Sequence, residues 1–138
     1  MASHPRSILV ITGPTGIGKT DLAMRLADDS PLRIISADSV MVYRHLDIGS
    51  AKPSASELER YPHDLIDLVE PEYPFDVGQY LLHAKRSIQH AWQRNEVPCL
   101  VGGTILYLKS NASNQLKTTH KRLKSTQNHS QTPQINSK

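Results

Sequence analysis

Short runs of apolar residues alternate with segments of helical spacing along the first 101 residues. The apolar runs are rich in β-branched side chains and predict four strands, over residues 7–12, 32–37, 63–69 and 97–101. Apolar positions with a helical period follow the first run, and a longer stripe over residues 75–95 predicts a second helix with Asp76 as its N-cap. This alternation is typical of α/β folds with a doubly wound parallel sheet.

The segments that follow three of these strands contain the candidate chemistry. Residues 13–20 follow the first strand, Asp38 follows the second and residues 102–104 follow the fourth. Ligands of open parallel sheets bind outside the carboxyl ends of the strands, so we expect a single site there. Between the second and third strands, turn-forming residues predict an irregular loop that includes Gly49, Pro53, Ser54 and Ser56.

The first of these segments matches the spacing G-x-x-x-x-G-K-[ST] of a P-loop, the phosphate-binding turn of many nucleotide enzymes. In such a turn, backbone N–H groups and a helix N-terminus surround a polyphosphate. Lys19 would add a cation between two phosphates, and the hydroxyl of Thr20 would be a ligand of Mg²⁺. The predicted diphosphate-binding residues are Gly13, Pro14, Thr15, Gly16, Ile17, Gly18, Lys19 and Thr20.

Asp38 has two interpretations on the residues alone. A carboxylate at the end of a buried strand can be a ligand of Mg²⁺, or it can be a general base at the mouth of the sheet. Neither interpretation identifies the group that carries the phosphates. His63, Trp92 and Tyr107 are predicted to be core or surface residues and not site residues.

Charge and cysteine content restrict the class of protein further. The net charge is +3, but residues 111–138 hold five of the sixteen basic side chains and no acidic one, so the preceding residues are slightly acidic. This polar tail is predicted to be disordered, with a phosphate-binding basic arm as the alternative. No apolar run could span a membrane, and a single Cys99 in an apolar run predicts a buried packing residue in a reducing, cytoplasmic compartment. The protein is expected to be a monomer.

Three segments together resemble the tRNA dimethylallyltransferases, also called tRNA isopentenyltransferases. They are GPTGIGKT, IISADSVMVYRHLDIGSAKPS and VGGTILYLKS, and the resemblance extends over residues 7–109. The pattern D-S-x-Q-V-Y-R of that family is matched from Asp38 to Arg44, except that Met41 replaces the glutamine. This departure bears on contacts with the acceptor base.

The resemblance implies transfer of a dimethylallyl group from dimethylallyl diphosphate, with Mg²⁺, to the exocyclic amine of the adenine 3′ of the tRNA anticodon. It implies that Asp38 is the general base and that Thr104 donates a hydrogen bond to the bridging oxygen of the diphosphate. Thr104 is also predicted to be the N-cap of the segment that follows it. The implied tRNA-binding residues are Asp38, Ser39, Val40 and Met41.

Members of that family continue beyond this length into a helical region that grips tRNA. We therefore expect residues 1–110 to form the N-terminal part of a P-loop core, with an incomplete sheet and marginal stability, and residues 111–138 to form the tail. The chain is expected to be truncated and weakly active or inactive. The alternatives are a small P-loop kinase, a prenyltransferase that modifies AMP, and a non-catalytic remnant that binds diphosphate.

Overall fold

The computed structural model describes residues 6–14, 16–47, 52–104 and 107–110, and the predicted tail lies outside these residues. Strands and helices alternate within them. In chain order they are β1 (Leu9–Ile11), α1 (Lys19–Asp29), β2 (Leu32–Ser36), α2 (Ala55–Arg60), β3 (His63–Asp64), α3 (Val77–Gln93) and β4 (Val97–Val101).

The strands form one parallel sheet in the order β1-β4-β2-β3. Ser36 pairs with Val101 and Ile11 also pairs with Val101, so three strands end at the same level. A parallel neighbour that is not the next strand in sequence requires a crossover connection, and helices supply it here. The predicted α/β fold with a parallel sheet is therefore confirmed, and its carboxyl edge collects the segments that follow β1, β2 and β4.

Each face of the sheet is covered by one long helix. Helix α1 buries Ala23 and Met24 against Ile34 and Cys99 on one face. Helix α3 covers the other face with an apolar stripe whose buried members are Tyr80, Ala84, Ile88 and Ala91. These side chains belong to a helix that the sequence predicted, and Asp76 caps it as expected, because its Oδ1 accepts a 2.9 Å hydrogen bond from the amide of Gln79.

Strand β1 forms one edge of the sheet and is only partly covered. Leu9 and Val10 are 36% and 48% exposed. Apolar side chains on the edge of a parallel sheet are normally covered, because both faces of such sheets are usually buried. This exposure agrees with the expectation of an incomplete sheet.

The prediction of a third strand over residues 63–69 is wrong in its length. Only His63 and Asp64 pair with β2. Leu65 and Asp67 have φ angles of 64° and 51°, which are incompatible with a strand. Val69 returns to an extended pairing as an isolated bridge with Tyr43. The apolar run therefore follows an irregular path that packs Leu65 into the core.

The predicted irregular loop is also wrong in part, because α2 begins directly after Ser54. The Ser54 hydroxyl accepts a hydrogen bond from the amide of Glu57, and the Glu57 carboxylate accepts one from the amide of Ser54. This reciprocal pair is a capping box, and its sequence signature is a serine three residues before a glutamate. The turn-forming residues marked the start of a helix.

Loss of the Ser54 hydroxyl should destabilise the chain modestly. Ser54→Ala removes the acceptor for the Glu57 amide, so we expect the free energy of unfolding to fall by about 1 kcal/mol. Urea unfolding followed by circular dichroism measures this change. Glu59→Gln, at an exposed position of the same helix, should leave the midpoint unchanged. Equal midpoints for Ser54→Ala and Glu59→Gln would show that the capping box contributes nothing.

Three residues that were expected to pack do so in different ways. Cys99 is completely buried, and this burial raises the pKa of its thiol to about 11, so the thiol stays protonated at neutral pH. Tyr107 is buried and stacks on Tyr80 with ring centroids 3.9 Å apart. Trp92 lies at the margin of the core and donates a 3.2 Å hydrogen bond to the carbonyl of Ser7.

Candidate active site

The glycine-rich segment after β1 curls in front of the carboxyl edge of the sheet. Gly16 and Gly18 have φ angles of 81° and 91°, in the left-handed region that other residues rarely adopt. A Cβ atom at either position would meet no atom within 4 Å, so backbone conformation and not crowding requires glycine there. Thr15 lies outside the described residues.

Helix α1 begins at Lys19, at the end of this curl. Its N-cap, Gly18, has no side chain to pair with the amides of the first turn. These amides have no partner within a helix and carry partial positive charge. The Lys19 ammonium donates hydrogen bonds to the carbonyls of Gly13 and Pro14, at 2.8 and 2.9 Å. Its charge therefore lies within the loop that was predicted to hold phosphates.

Asp38 follows β2 and organises its own loop. Its Oδ1 accepts hydrogen bonds from the amides of Val40 and Met41, at 2.8 and 3.1 Å. This short-range pairing is how aspartate stabilises turns. The sulfur of Met41 lies 3.9 Å from the hydroxyl of Ser36, which donates to it. The other carboxylate oxygen of Asp38 has no hydrogen bond among the contacts that the structure describes.

Thr104 follows β4 and joins the Asp38 loop. Its Oγ1 accepts a 3.0 Å hydrogen bond from the amide of Ser39, and its own amide donates to the carbonyl of Ala37 at 3.2 Å. The Thr104 carbonyl accepts from the amides of Tyr107 and Leu108, where a helical turn begins. Thr104 therefore lies at the predicted N-cap position of this turn. Its side chain connects the loop after β4 to the loop after β2.

Residues that follow β1, β2 and β4 line one cavity of about 460 Å³. Its size is in the range of small-molecule sites. The predicted site residues that line it are Gly16, Gly18, Lys19, Thr20, Asp38, Ser39, Val40, Met41 and Thr104. Gly13, Pro14 and Ile17 belong to the same loop but do not line the cavity. The structure thus brings the predicted phosphate-binding and catalytic residues to one opening.

His63 also lines the cavity, although the sequence assigned it to the core or surface. Its Nδ1 lies 2.6 Å from the carbonyl oxygen of Tyr61, and its Nε2 is buried with no hydrogen-bond partner in the described part of the chain. Burial lowers the pKa of His63. A histidine at the start of an apolar strand was the only signal in the sequence. Pro53 and Ile66 complete the same end of the cavity.

Lys52 is a further residue that the motifs did not indicate. Its ammonium is almost completely buried behind the Asp38 loop. It donates hydrogen bonds to the carbonyl of Tyr43 at 2.6 Å, to Asp47 at 2.8 Å and to Asp67 at 2.6 Å. Burial opposes the charge, but hydrogen bonds with the two carboxylates raise the pKa of Lys52 on balance. This cluster fixes the loop that carries Asp38 and Met41 against the segment after β3.

Oxygen donors for a cation lie beside the phosphate-binding loop. Thr20 and Asp21 begin α1 and line the cavity, and Asp38 lines it from the side of β2. Within the described ranges, no group of three or more His, Cys, Asp or Glu side chains could hold a metal ion. A hydroxyl and isolated carboxylates suit Mg²⁺, which takes few protein ligands and several waters or phosphate oxygens.

Comparison with known families identifies the chain. The family model described as IPP transferase matches residues 41–137, and the model described as isopentenyl transferase matches residues 6–69. The chain belongs to the IPP transferase family. This confirms the resemblance that the three motifs indicated. The first match continues through the basic tail to residue 137.

Curated relatives of this IPP transferase chain are tRNA dimethylallyltransferases. The enzyme of Acidithiobacillus ferrooxidans is 50% identical over 102 residues, which are 74% of this chain and 32% of the relative. The enzyme of Syntrophobacter fumaroxidans is 49% identical over 102 residues, which are 74% of this chain and 30% of the relative. The chain therefore spans about a third of the length of the curated relatives that it matches.

Solved structures of the same family share the fold. The tRNA isopentenylpyrophosphate transferase of Bacillus halodurans matches 78% of this chain with a TM-score of 0.74 and 39% identity, over 35% of its own length. A eukaryotic dimethylallyltransferase that was solved acting on tRNA matches 73% of this chain with a TM-score of 0.70 and 31% identity, over 25% of its own length. No helix in the described part of this IPP transferase chain is long and apolar enough to cross a membrane.

Proposed function

We propose that this chain binds dimethylallyl diphosphate and transfers its dimethylallyl group to the exocyclic amine of the adenine 3′ of the anticodon in tRNA. One observation carries the proposal, namely that the phosphate-binding loop, Asp38 and Thr104 line a single cavity. The names of the curated relatives support the same substrates. The alternative of a small P-loop kinase that binds ATP has no comparable support.

The diphosphate is the leaving group in this reaction. The backbone N–H groups of residues 13–20, to which Pro14 contributes none, and the ammonium of Lys19 would hold it and stabilise the charge that develops on its oxygen. Thr20 would hold Mg²⁺ together with phosphate oxygens and water, and Mg²⁺ when bound supplies further positive charge at the leaving group. Thr104 can donate its hydroxyl hydrogen to the bridging oxygen, because its only described acceptor is the Ser39 hydroxyl at 3.5 Å.

Asp38 would accept a proton from the amine. The amine nitrogen forms the new bond to the allylic carbon, the carbon–oxygen bond breaks, and its electron pair leaves with the diphosphate. One N–H proton must be lost, and the carboxylate oxygen of Asp38 that is not engaged with Val40 and Met41 is placed to take it. The lining of the cavity by both Asp38 and Thr104 supports this assignment.

The acceptor base must leave the RNA stack to enter a cavity of this size. We assign Asp38, Ser39, Val40 and Met41 to contacts with that nucleotide, since they form one wall of the opening. Val40 is 45% exposed and can contact RNA directly. We further infer that the chain works in the cytoplasm as a monomer, and a single buried cysteine is compatible with that reducing compartment.

A labelled-substrate assay tests this function against its alternatives. The chain is incubated in excess over an anticodon stem-loop RNA with radiolabelled dimethylallyl diphosphate and Mg²⁺, so that a single turnover is visible. We expect slow transfer to the RNA, because the chain spans about a third of its relatives. Transfer to AMP, phosphate transfer from ATP, or diphosphate binding without turnover would each replace the proposal with the corresponding alternative.

Asp38→Asn removes the proposed general base but keeps a side-chain oxygen that can hold the loop. An asparagine side-chain oxygen can still accept from the amides of Val40 and Met41, so we expect unchanged folding and unchanged affinity for inorganic diphosphate with Mg²⁺. Transfer should fall below that of the native chain in the same assay. Asp38→Ala is the matched control for the loop, since it also removes the acceptor and should destabilise the chain by about 1–2 kcal/mol. Native transfer by Asp38→Asn would exclude Asp38 as the base.

A further inference from the structure

His63 lines the cavity, and one nitrogen of its ring has no hydrogen-bond partner among the described residues. The Nδ1 of its ring lies 2.6 Å from the Tyr61 carbonyl oxygen. A carbonyl oxygen can only accept, so Nδ1 carries the hydrogen. Burial lowers the pKa of His63 and keeps the ring neutral, although Asp64 and Glu57 oppose this shift with their charges. In a neutral ring with hydrogen on Nδ1, Nε2 has a lone pair and no hydrogen.

That lone pair has no partner within the described residues. Nε2 is buried, and it forms no hydrogen bond with the residues around it. The Ser36 hydroxyl on the same cavity wall donates to the sulfur of Met41. A buried acceptor without a donor costs about 1–3 kcal/mol. This cost is recovered if a molecule that enters the cavity brings an N–H or O–H group to His63.

The order of the strands places His63 at a defined end of the cavity. At the carboxyl edge, the phosphate-binding loop follows β1, Thr104 follows β4 and Asp38 follows β2. His63 lies on the neighbouring β3, paired with Ile34 of β2 and therefore below that edge. If the diphosphate lies in the loop after β1 and its allylic carbon lies between Thr104 and Asp38, the acceptor lies beyond Asp38. The acceptor base is then over β2 and β3, where His63 and Ile66 line the cavity.

We propose that His63 is a positioning residue that accepts one N–H of the exocyclic amine of the acceptor adenine, while Asp38 accepts the other. This inference rests on the proposed function. Adenine offers hydrogen only at this amine, since its other polar edge atoms are acceptors. Two acceptors, one for each hydrogen of the NH₂ group, would fix the orientation of this group while its nitrogen attacks. His63 neither gains nor loses a proton in the reaction.

The same pair of acceptors selects for adenine. Guanine and hypoxanthine carry a carbonyl oxygen where adenine carries the amine, and an oxygen cannot donate to Asp38 or to His63. They have a single N1–H beside that oxygen, so at most one of the two acceptors would find a donor, and sites of this kind reject the wrong group strongly. His63 is therefore a specificity-determining residue as well as a positioning one.

Nuclear magnetic resonance of the full chain tests this directly. The chain is labelled with ¹⁵N-histidine and titrated with adenosine, N6,N6-dimethyladenosine and purine riboside, in the presence of Mg²⁺ and inorganic diphosphate. We expect adenosine to shift the ¹⁵N resonance of His63 Nε2, because a new hydrogen bond changes its lone pair. The bases of dimethyladenosine and purine riboside have no N–H group to donate and should leave the resonance in place.

A variant supplies the second measurement. His63→Asn keeps an N–H group for the Tyr61 carbonyl and removes the acceptor at the position of Nε2, so adenosine should bind about fivefold more weakly. His90→Asn, at an exposed position of α3, should bind adenosine as the native chain does. Affinity for inorganic diphosphate should be equal in all three, because His63 lies at the other end of the cavity.

The outcomes distinguish this inference from the proposed function. If adenosine fails to bind, or binds with the Nε2 resonance unchanged and with native affinity in His63→Asn, a bound water occupies the acceptor and the inference is overturned. Diphosphate binding would remain in that case. Loss of diphosphate binding by the native chain would instead overturn the proposed function. The resonance of the native chain decides the matter if His63→Asn fails to fold.

Discussion

Gly102→Ala is expected to lower the free energy of unfolding by about 3 kcal/mol or more. A Cβ atom at Gly102 would lie 2.3 Å from the carbonyl oxygen of Ala37 and 2.5 Å from its carbonyl carbon. Neither atom can move easily, because the Ala37 amide donates to Val101 and its carbonyl accepts from the amide of Thr104. The total stability of a small domain is about 5–15 kcal/mol. Much of the variant should therefore be unfolded.

Gly103→Ala is the matched control for this substitution. A Cβ atom at Gly103 would lie 3.5 Å from the carbonyl oxygen of Gly13, which is ordinary van der Waals contact. We expect its unfolding midpoint to stay near that of the native chain. Urea unfolding followed by circular dichroism compares the three proteins. If Gly102→Ala unfolds at the same urea concentration as Gly103→Ala, the close approach of Gly102 and Ala37 is absent in solution.

The close approach of Gly102 to Ala37 contributes to the geometry of the candidate site as well as to the stability of the chain. It allows the segment after β4 to lie directly on the segment after β2, so that the Thr104 hydroxyl reaches the amide of Ser39 at 3.0 Å. A wider separation would remove Thr104 from the neighbourhood of Asp38. Gly102 is therefore required for packing, and this packing places Thr104 beside the Asp38 loop.

Most of the fold followed from local sequence patterns. Strands β2 and β4 are continuous apolar runs, and α3 has a complete helical stripe with its cap at Asp76, so each element was specified by adjacent residues. The short β3 and the helix α2 were not. At Leu65 and Asp67 the backbone leaves the strand with positive φ. Leu65 packs into the core in this conformation, and Asp67 is of a residue type that is depleted in strands. At α2, the capping signature of Ser54 and Glu57 was present but was outweighed by nearby turn residues.

The candidate site likewise has a part that local sequence predicts and a part that depends on tertiary structure. Residues 13–20 form a motif whose spacing alone predicts the curl and the start of α1. The hydrogen bond between Thr104 and Ser39 connects residues 65 positions apart, and only the register of β2 and β4 brings them together. The cavity position of His63 depends on the pairing of β3 with β2. The cluster around Lys52 requires the path of the loop after β3, which no periodicity encodes.

Lys19→Met is expected to weaken binding of inorganic diphosphate about 10–100-fold, because it removes the one side-chain cation of the predicted phosphate-binding loop. A hydrogen bond to a charged group contributes about 1.5–3 kcal/mol, which corresponds to that range of affinity. Methionine retains most of the aliphatic stem and is a good helix former, so the first turn of α1 should persist. Isothermal titration with diphosphate and Mg²⁺ measures the affinity, and a denaturation curve confirms that the variant is folded.

The control for this variant must separate a local cation from overall charge. Lys85→Met removes an exposed lysine from α3, on the opposite face of the sheet from α1, and changes the net charge equally. General attraction of diphosphate to a chain of charge +3 would be weakened by both substitutions and screened by salt. A specific contact would be lost only in Lys19→Met and would persist in part at high salt. Equal affinities for the two variants would remove Lys19 from the phosphate site and, with it, the reason to place the diphosphate after β1.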